Sequence, residues 1–290
     1  MDNRVVRRAT LVTALALLPA PAPAAAADRV LTNGFVADAE AGVVLLARPL
    51  PGDRLALFRH YRGTVTRLAA ASFPVLRFPG ATLGTGSGGQ LVAAWGRCSP
   101  RCDIFGYGFT SRRERRFAAL STRGDRETAP SVWRGRVLFA RSGRRGGLFL
   151  GRRRITRLKT GVTALRGRTA AFSYSKPARN PEFAEDAFIG VKRIGRLGRG
   201  RVCTVWANGA DYYVTHSVSI DGDYVYWATD GLDSDDQLLR RRLPDGHCRQ
   251  RGRIEQVLSV AAGEELSGAG VDRGRVVYSA GDTVFEHAAR

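Results

Sequence analysis

Lysine is scarce in this chain. Of 46 basic residues only Lys159, Lys176 and Lys192 are lysines, and the other 43 are arginines. Beside 34 glycines, that skew is what a GC-rich coding sequence yields. A formal charge of +20 therefore has a compositional source and does not by itself demand nucleic acid. Histidine is scarce too. His60, His216, His247 and His287 include no pair at metal-ligand spacing, and no H-E-x-x-H occurs. No G-x-S-x-G elbow is present, which removes the commonest hydrolase signature. No apolar run approaches the ~20 residues of a spanning helix, so the chain is not expected to cross a membrane. No segment sustains a helical period, which argues against all-α and α/β folds. Gly84-Thr85-Gly86-Ser87-Gly88-Gly89 fits G-x-G-x-x-G, but a strand-like run follows where a helix N-terminus is required. These glycines read as a hairpin.

What is present begins with an address. Arg4, Arg7 and Arg8 precede a short apolar core at residues 9–18, Pro19 breaks it, and Ala24-Ala25-Ala26-Ala27 supplies small residues for cleavage before Asp28. Residues 1–27 thus read as a secretory signal and 28–290 as one domain, secreted or periplasmic. Arg7-Arg8 leaves a twin-arginine route open beside the general one. Cleavage removes three arginines and one aspartate and leaves the charge near +18. Export favours disulfides for the four cysteines. Cys98-Ser-Pro-Arg-Cys102 suits a bridge across a hairpin loop, and Cys203 with Cys248 follows by elimination. Spacing alone leaves three connectivities open.

A short pattern recurs: a glycine, then an apolar or aromatic run. It stands at Gly42, Gly89, Gly135, Gly167, Gly222 and Gly274, with a mean spacing of about 46, inside the ~40–50 residues of a propeller blade. Glycine reaches the positive φ that a two-residue hairpin needs. The runs after it are rich in Val, Tyr, Phe and Trp, which suit a half-buried pleated surface. Another strand precedes each glycine and two more follow, so the fold class is all-β, a six-bladed β-propeller of four-stranded antiparallel blades. The last unit is short: after Gly274 only 275–280 and 283–287 fit as strands. A spare strand at 29–32 closes the ring by pairing with the C-terminal strands.

The stretch Ser219-Ile220-Asp221-Gly222-Asp223-Tyr224-Val225-Tyr226-Trp227, followed by Gln237-Leu238-Leu239-Arg240 and Leu243-Pro244-Asp245-Gly246, resembles a blade of TolB-like six-bladed β-propellers. Those blades carry a rhythm of Pro-Asp-Gly, apolar strand, Asp-Gly, apolar strand, Gly; here Ile220 stands where the family has Pro. The resemblance implies the propeller fold and a secreted bacterial member of that superfamily. It does not assign an activity, because folds of this kind host many.

In a four-stranded blade the loops between strands two and three open on the same face as the links between blades. The longer loops fall there, at 96–100, 173–186, 208–213 and 229–236. Their candidate ligand-binding residues are Lys176, Arg179, Glu182, Phe183, Asp211, Tyr212, Tyr213, Asp233 and Asp235. Asp230, Asp233, Asp235 and Asp236 form an acidic cluster; the ordinary reading is a solvated loop, with Ca²⁺ as the alternative. No other cofactor is expected. Arginine runs at 112–116, 152–154 and 240–242 fall near third strands and the turns after them, and should ring the outer rim. The expected function is a monomeric, non-catalytic scaffold that binds a protein or cell-envelope component. The alternatives are a propeller hydrolase or lyase with its site at the channel mouth, and a polyanion-binding protein using the basic rim.

Overall fold

The computed structural model describes residues 28–74, 80–98, 102–122, 124–178, 185–195, 200–208, 215–231, 234–245, 247–261 and 264–288. Their regular structure is strand throughout, arranged as six four-stranded antiparallel sheets. Blade one comprises β2 (Phe35–Glu40), β3 (Val43–Leu50), β4 (Arg54–Tyr61) and β5 (Thr64–Pro74). Blade two comprises β6 (Ala81–Thr85), β7 (Leu91–Cys98), β8 (Cys102–Gly108) and β9 (Arg113–Arg116). Blade three comprises β10 (Arg126–Trp133), β11 (Arg136–Ser142), β12 (Gly147–Leu150) and β13 (Arg153–Thr156). Blade four comprises β14 (Lys159–Arg166), β15 (Thr169–Pro177), β16 (Glu185–Arg193) and β17 (Cys203–Asn208). Blade five comprises β18 (Thr215–Asp221), β19 (Tyr224–Gly231), β20 (Ser234–Arg242) and β21 (Arg251–Val260). Blade six comprises β22 (Leu266–Asp272), β23 (Arg275–Ala280), β24 (Thr283–Ala288) and, from the other end of the chain, β1 (Arg29–Asn33).

The N-terminal strand closes the ring as the short last unit requires. Arg29 pairs Glu286 and Val30 pairs Phe285. Asp28 anchors the closure, accepting from the Tyr278 hydroxyl at 2.6 Å and meeting His287 Nδ1 at 2.7 Å.

The repeat glycines sit at the first hairpin of each blade. Ala41-Gly42, Arg134-Gly135 and Arg273-Gly274 all take positive φ, between 48° and 75°, the demand of a type I′ turn. The residue fourth along the following strand is buried in every blade: Leu46, Ala94, Phe139, Phe172, Trp227 and Tyr278. There are six apolar clusters, one between each neighbouring pair of blades; these side chains enter five of them, and Leu45, Ala93 and Trp95 build the one between blades one and two. Burial between sheet faces, at roughly 25 cal/mol per Å² of apolar area, is what drives the blades together.

Tight inner packing requires glycine at particular places. A Cβ on Gly268 would lie 2.1 Å from the Val36 carbonyl oxygen, so β22 and β2 approach backbone to backbone. Both disulfides expected from the sequence are formed, Cys98–Cys102 across the β7–β8 hairpin and Cys203–Cys248 between blades four and five. The arginine runs fall on outer strands β9 and β13 and on third strand β20, as a basic rim.

Candidate functional site: the central channel

The innermost strands β2, β6, β10, β14, β18 and β22 stand side by side around a channel. Its two ends differ in chemistry. The end where the strands begin, facing the inter-blade links, opens into a cavity of about 590 Å³. Phe35, Ala37, Val162, Thr128, Thr215 and Ser217 line it together with His216, an apolar and hydroxyl-bearing wall with one imidazole and, among the described residues, one carboxylate, Asp38. That carboxylate is engaged. Asp38 Oδ2 accepts from Thr82 Oγ1 at 2.5 Å and from the Leu83 N–H at 2.9 Å, and Oδ1 accepts from the Ala39 N–H at 2.8 Å. Burial pushes its pKa up to about 6 against the lowering effect of those donors.

The opposite end is narrow and ringed by the last residue of each inner strand: Glu40, Thr85, Trp133, Arg166, Asp221 and Asp272. Several of them fasten one blade to the next. Asp221 Oδ2 accepts from the Gly274 N–H at 2.7 Å, and Asp272 Oδ2 from the Gly42 N–H at 2.8 Å. Thr85 does the same for blade three, its hydroxyl accepting from the Arg134 N–H at 2.9 Å. Arg166 pairs with Asp221 at 2.9 Å and donates to the Ile220 carbonyl. Glu40 lies among these groups. Burial pushes it up to about 7, with Arg166 opposing and the neighbouring carboxylates Asp38, Asp272 and Asp221 reinforcing. Arg166, Asp221 and Asp272 thus have structural tasks, and the wider cavity of the channel lies at the other mouth.

The loop residues singled out from the sequence fall partly outside this description. Arg179, Glu182, Phe183, Asp211, Tyr212, Tyr213 and Asp233 lie outside the described residues. Lys176 is the penultimate residue of β15 on the mouth face, exposed, with its ammonium 5.6 Å from the Tyr174 ring centre and 5.3 Å from that of Phe188. Asp235, at the start of β20 in the neighbouring blade, is exposed and accepts from Ser259 Oγ at 3.1 Å. Asp230 is the penultimate residue of its blade's second strand, near the same hairpin. Asp236 accepts from the Leu266 N–H at 2.7 Å and so joins blade five to blade six. Among the described residues no group of three or more His, Cys, Asp or Glu side chains is arranged to hold a metal.

The loops themselves are shorter than composition suggested. Strands β15 and β16 pair as far as Pro177 with Glu185, and β19 with β20 as far as Gly231 with Ser234. Polar residues there read as loop but stand on paired strand ends, Lys176 exposed and Asp186 and Thr229 buried. The sequence reading also missed the ring of Glu40, Arg166, Asp221 and Asp272. The available signal was position: each immediately precedes a repeat turn.

Geometry therefore defines a six-bladed β-propeller with an open mouth on the loop face. No family profile matches the chain, and no curated protein matches it in sequence. Among solved structures it is similar to tricorn protease, with a TM-score of 0.56 and 13% identity over 88% of this chain and 25% of that one. It is similar to TolB from Acinetobacter baumannii, with a TM-score of 0.54 and 13% identity over 84% of this chain and 63% of that one. It is also similar to a puromycin-hydrolyzing peptidase of Mycobacterium tuberculosis, with a TM-score of 0.55 and 13% identity over 90% and 46%. The fold is that of a TolB-like propeller. The chain spans less than two thirds of the length of each of these proteins. Among the described residues no helix is long and apolar enough to cross a membrane. Two disulfides are consistent with a place outside the cytoplasm.

Proposed function

We propose that this protein is a non-catalytic binding propeller that receives a protein or cell-envelope component at the channel mouth on the loop face. The observation that carries the reading is the engagement of Asp38. The one carboxylate among the described residues lining the mouth is held by a hydroxyl and two backbone N–H groups. It serves as a fastener between blades one and two rather than as a free acid or base. The wall above it offers shape, apolar area and small hydroxyls, the means of recognition by a preformed pocket. Such a scaffold binds with little backbone change. The likeness to tricorn protease and to the puromycin-hydrolyzing peptidase spans 25% and 46% of those chains, so most of each lies beyond it. Export through residues 1–27 and action as a monomer without a cofactor complete the proposal.

The test is affinity capture from the envelope extract of the source cells at moderate salt, with Thr128→Trp/Thr215→Trp as the blocked form. Both threonines line the mouth and are partly exposed. One specific component held by the wild type and lost from the blocked form supports the reading. Retention of the same component by both forms refutes it.

A further inference from the structure

On the hairpin face, away from the mouth, blades four and five enclose a second concavity of about 640 Å³. Arg166, Arg168, Arg193, Arg201, Arg242 and Arg251 line it. Two carboxylates share the wall, Asp223 and Asp245. Asp245 is turned into its own turn, where Oδ1 accepts from the N–H groups of Arg249 and His247, each at 2.9 Å. Arg166 is held by Asp221. Arg168 and Arg242 each donate through Nε, to the Ile194 carbonyl and the Tyr224 hydroxyl, and so hold a set direction. Arg193, Arg201 and Arg251 are exposed and have no ion-pair partner among the described residues. A surplus of positive charge thus lies inside a concavity, where its field is focused, rather than spread over a convex rim.

The walls are fixed to each other. The Cys203–Cys248 disulfide ties β17 of blade four to the turn between β20 and β21 of blade five. Arg241 Nη1 donates to the Val205 carbonyl at 2.9 Å, and the Gln250 amide donates to the Thr204 carbonyl, both across the same seam. At the hairpin tips Gly167 and Gly222 carry no side chain and leave open space above the groove. Donors held in place before binding lose little freedom on binding. Guanidinium forks match phosphoryl oxygens two at a time, and the volume accommodates more than one such group.

We infer that this groove binds a soluble ligand carrying several adjacent phosphoryl groups, such as a short linear polyphosphate. The shared chemistry with an anionic lipid surface is the phosphoryl group, but a narrow concavity between two fixed walls suits a chain and not a plane. The inference is independent of the mouth reading, since the two sites lie on opposite faces.

The probe is sodium tripolyphosphate, titrated calorimetrically into the purified full-length protein at two salt concentrations. The groove variant is Arg193→Gln/Arg201→Gln/Arg251→Gln. The control removes the same charge from the outer strands of blades two and three, as Arg113→Gln/Arg115→Gln/Arg154→Gln. Melting temperatures matching wild type establish that both variants fold. The groove variant is expected to bind roughly tenfold more weakly, with the control near wild type and both weakened by salt. On the wild type alone, tripolyphosphate should shield Arg193, Arg201 and Arg251 from phenylglyoxal, read by mass spectrometry. The inference is overturned by an absence of binding, by equal weakening in both variants, by modification of those arginines undiminished by tripolyphosphate, or by binding seen only to phosphatidylglycerol vesicles.

Discussion

At the scale of the residue, this propeller is decided by what can stand between two sheets. Apolar side chains four places into each second strand were legible from the sequence, because they follow a glycine that only a turn requires. Charged side chains on inner strands were not. Glu40 and Asp38 alternate with apolar neighbours, as residues on a solvated sheet face do; only closure of the ring turns that face into a channel wall. Their environment has a consequence for stability. Burial raises Glu40 to about 7, so the folded state holds this proton more tightly than the unfolded chain does. The stabilising contribution is complete below the ordinary glutamate range and is lost as pH rises through about 7. Glu40→Gln should therefore leave the melting temperature unchanged at about pH 4 and raise it by roughly 2–4 °C at about pH 8, read by thermal melts across that range. Burial raises Glu127 as well, but this carboxylate has a cationic partner. It is 1% exposed and pairs with Arg141 at 3.1 Å, while Arg141 also stacks over the Phe149 ring at 4.2 Å. Glu127→Ala leaves that arginine buried without its counter-charge and should cost about 3–5 kcal/mol in chemical denaturation.

At the scale of the element, hairpins are the unit that composition reveals. Positive φ at Ala41-Gly42 and Arg273-Gly274 is the physical content of the recurrent glycine. Strand ends were harder to read, because polarity marks solvent and not the loss of pairing; Lys176 still pairs with Asp186. The two disulfides differ in what they restrain. Cys98 and Cys102 are four residues apart, whereas Cys203 and Cys248 are 45 apart. On chain-entropy grounds, replacing the second pair with serine should cost about 4 kcal/mol and the first about 2 kcal/mol. Urea unfolding of the two double-serine variants checks the order. The longer bridge also ties the walls of the basic groove, so its loss should loosen the outer part of a seam that Arg241 and Gln250 also cross.

At the scale of the whole molecule, the spacing of about 46 residues and the shortfall of the last unit were sufficient to foresee a closed ring of six. What no linear reading supplies is the difference between the two faces. One carries the wide, apolar and hydroxyl-lined mouth; the other carries the ring of charged end residues and the arginine groove. Closure by β1 covers the edge of β24. A chain lacking residues 28–33 should expose that edge and self-associate, visible as concentration-dependent sedimentation, while the full chain stays monomeric. We propose that recognition occurs at the mouth. The most direct test is a photo-crosslinking residue placed at Thr128 in the mouth or at Arg154 on the outer rim, activated in the presence of envelope extract. A discrete adduct from position 128 and none from position 154 is the predicted result. Adducts from position 154 alone, or identical adducts from both, would contradict it.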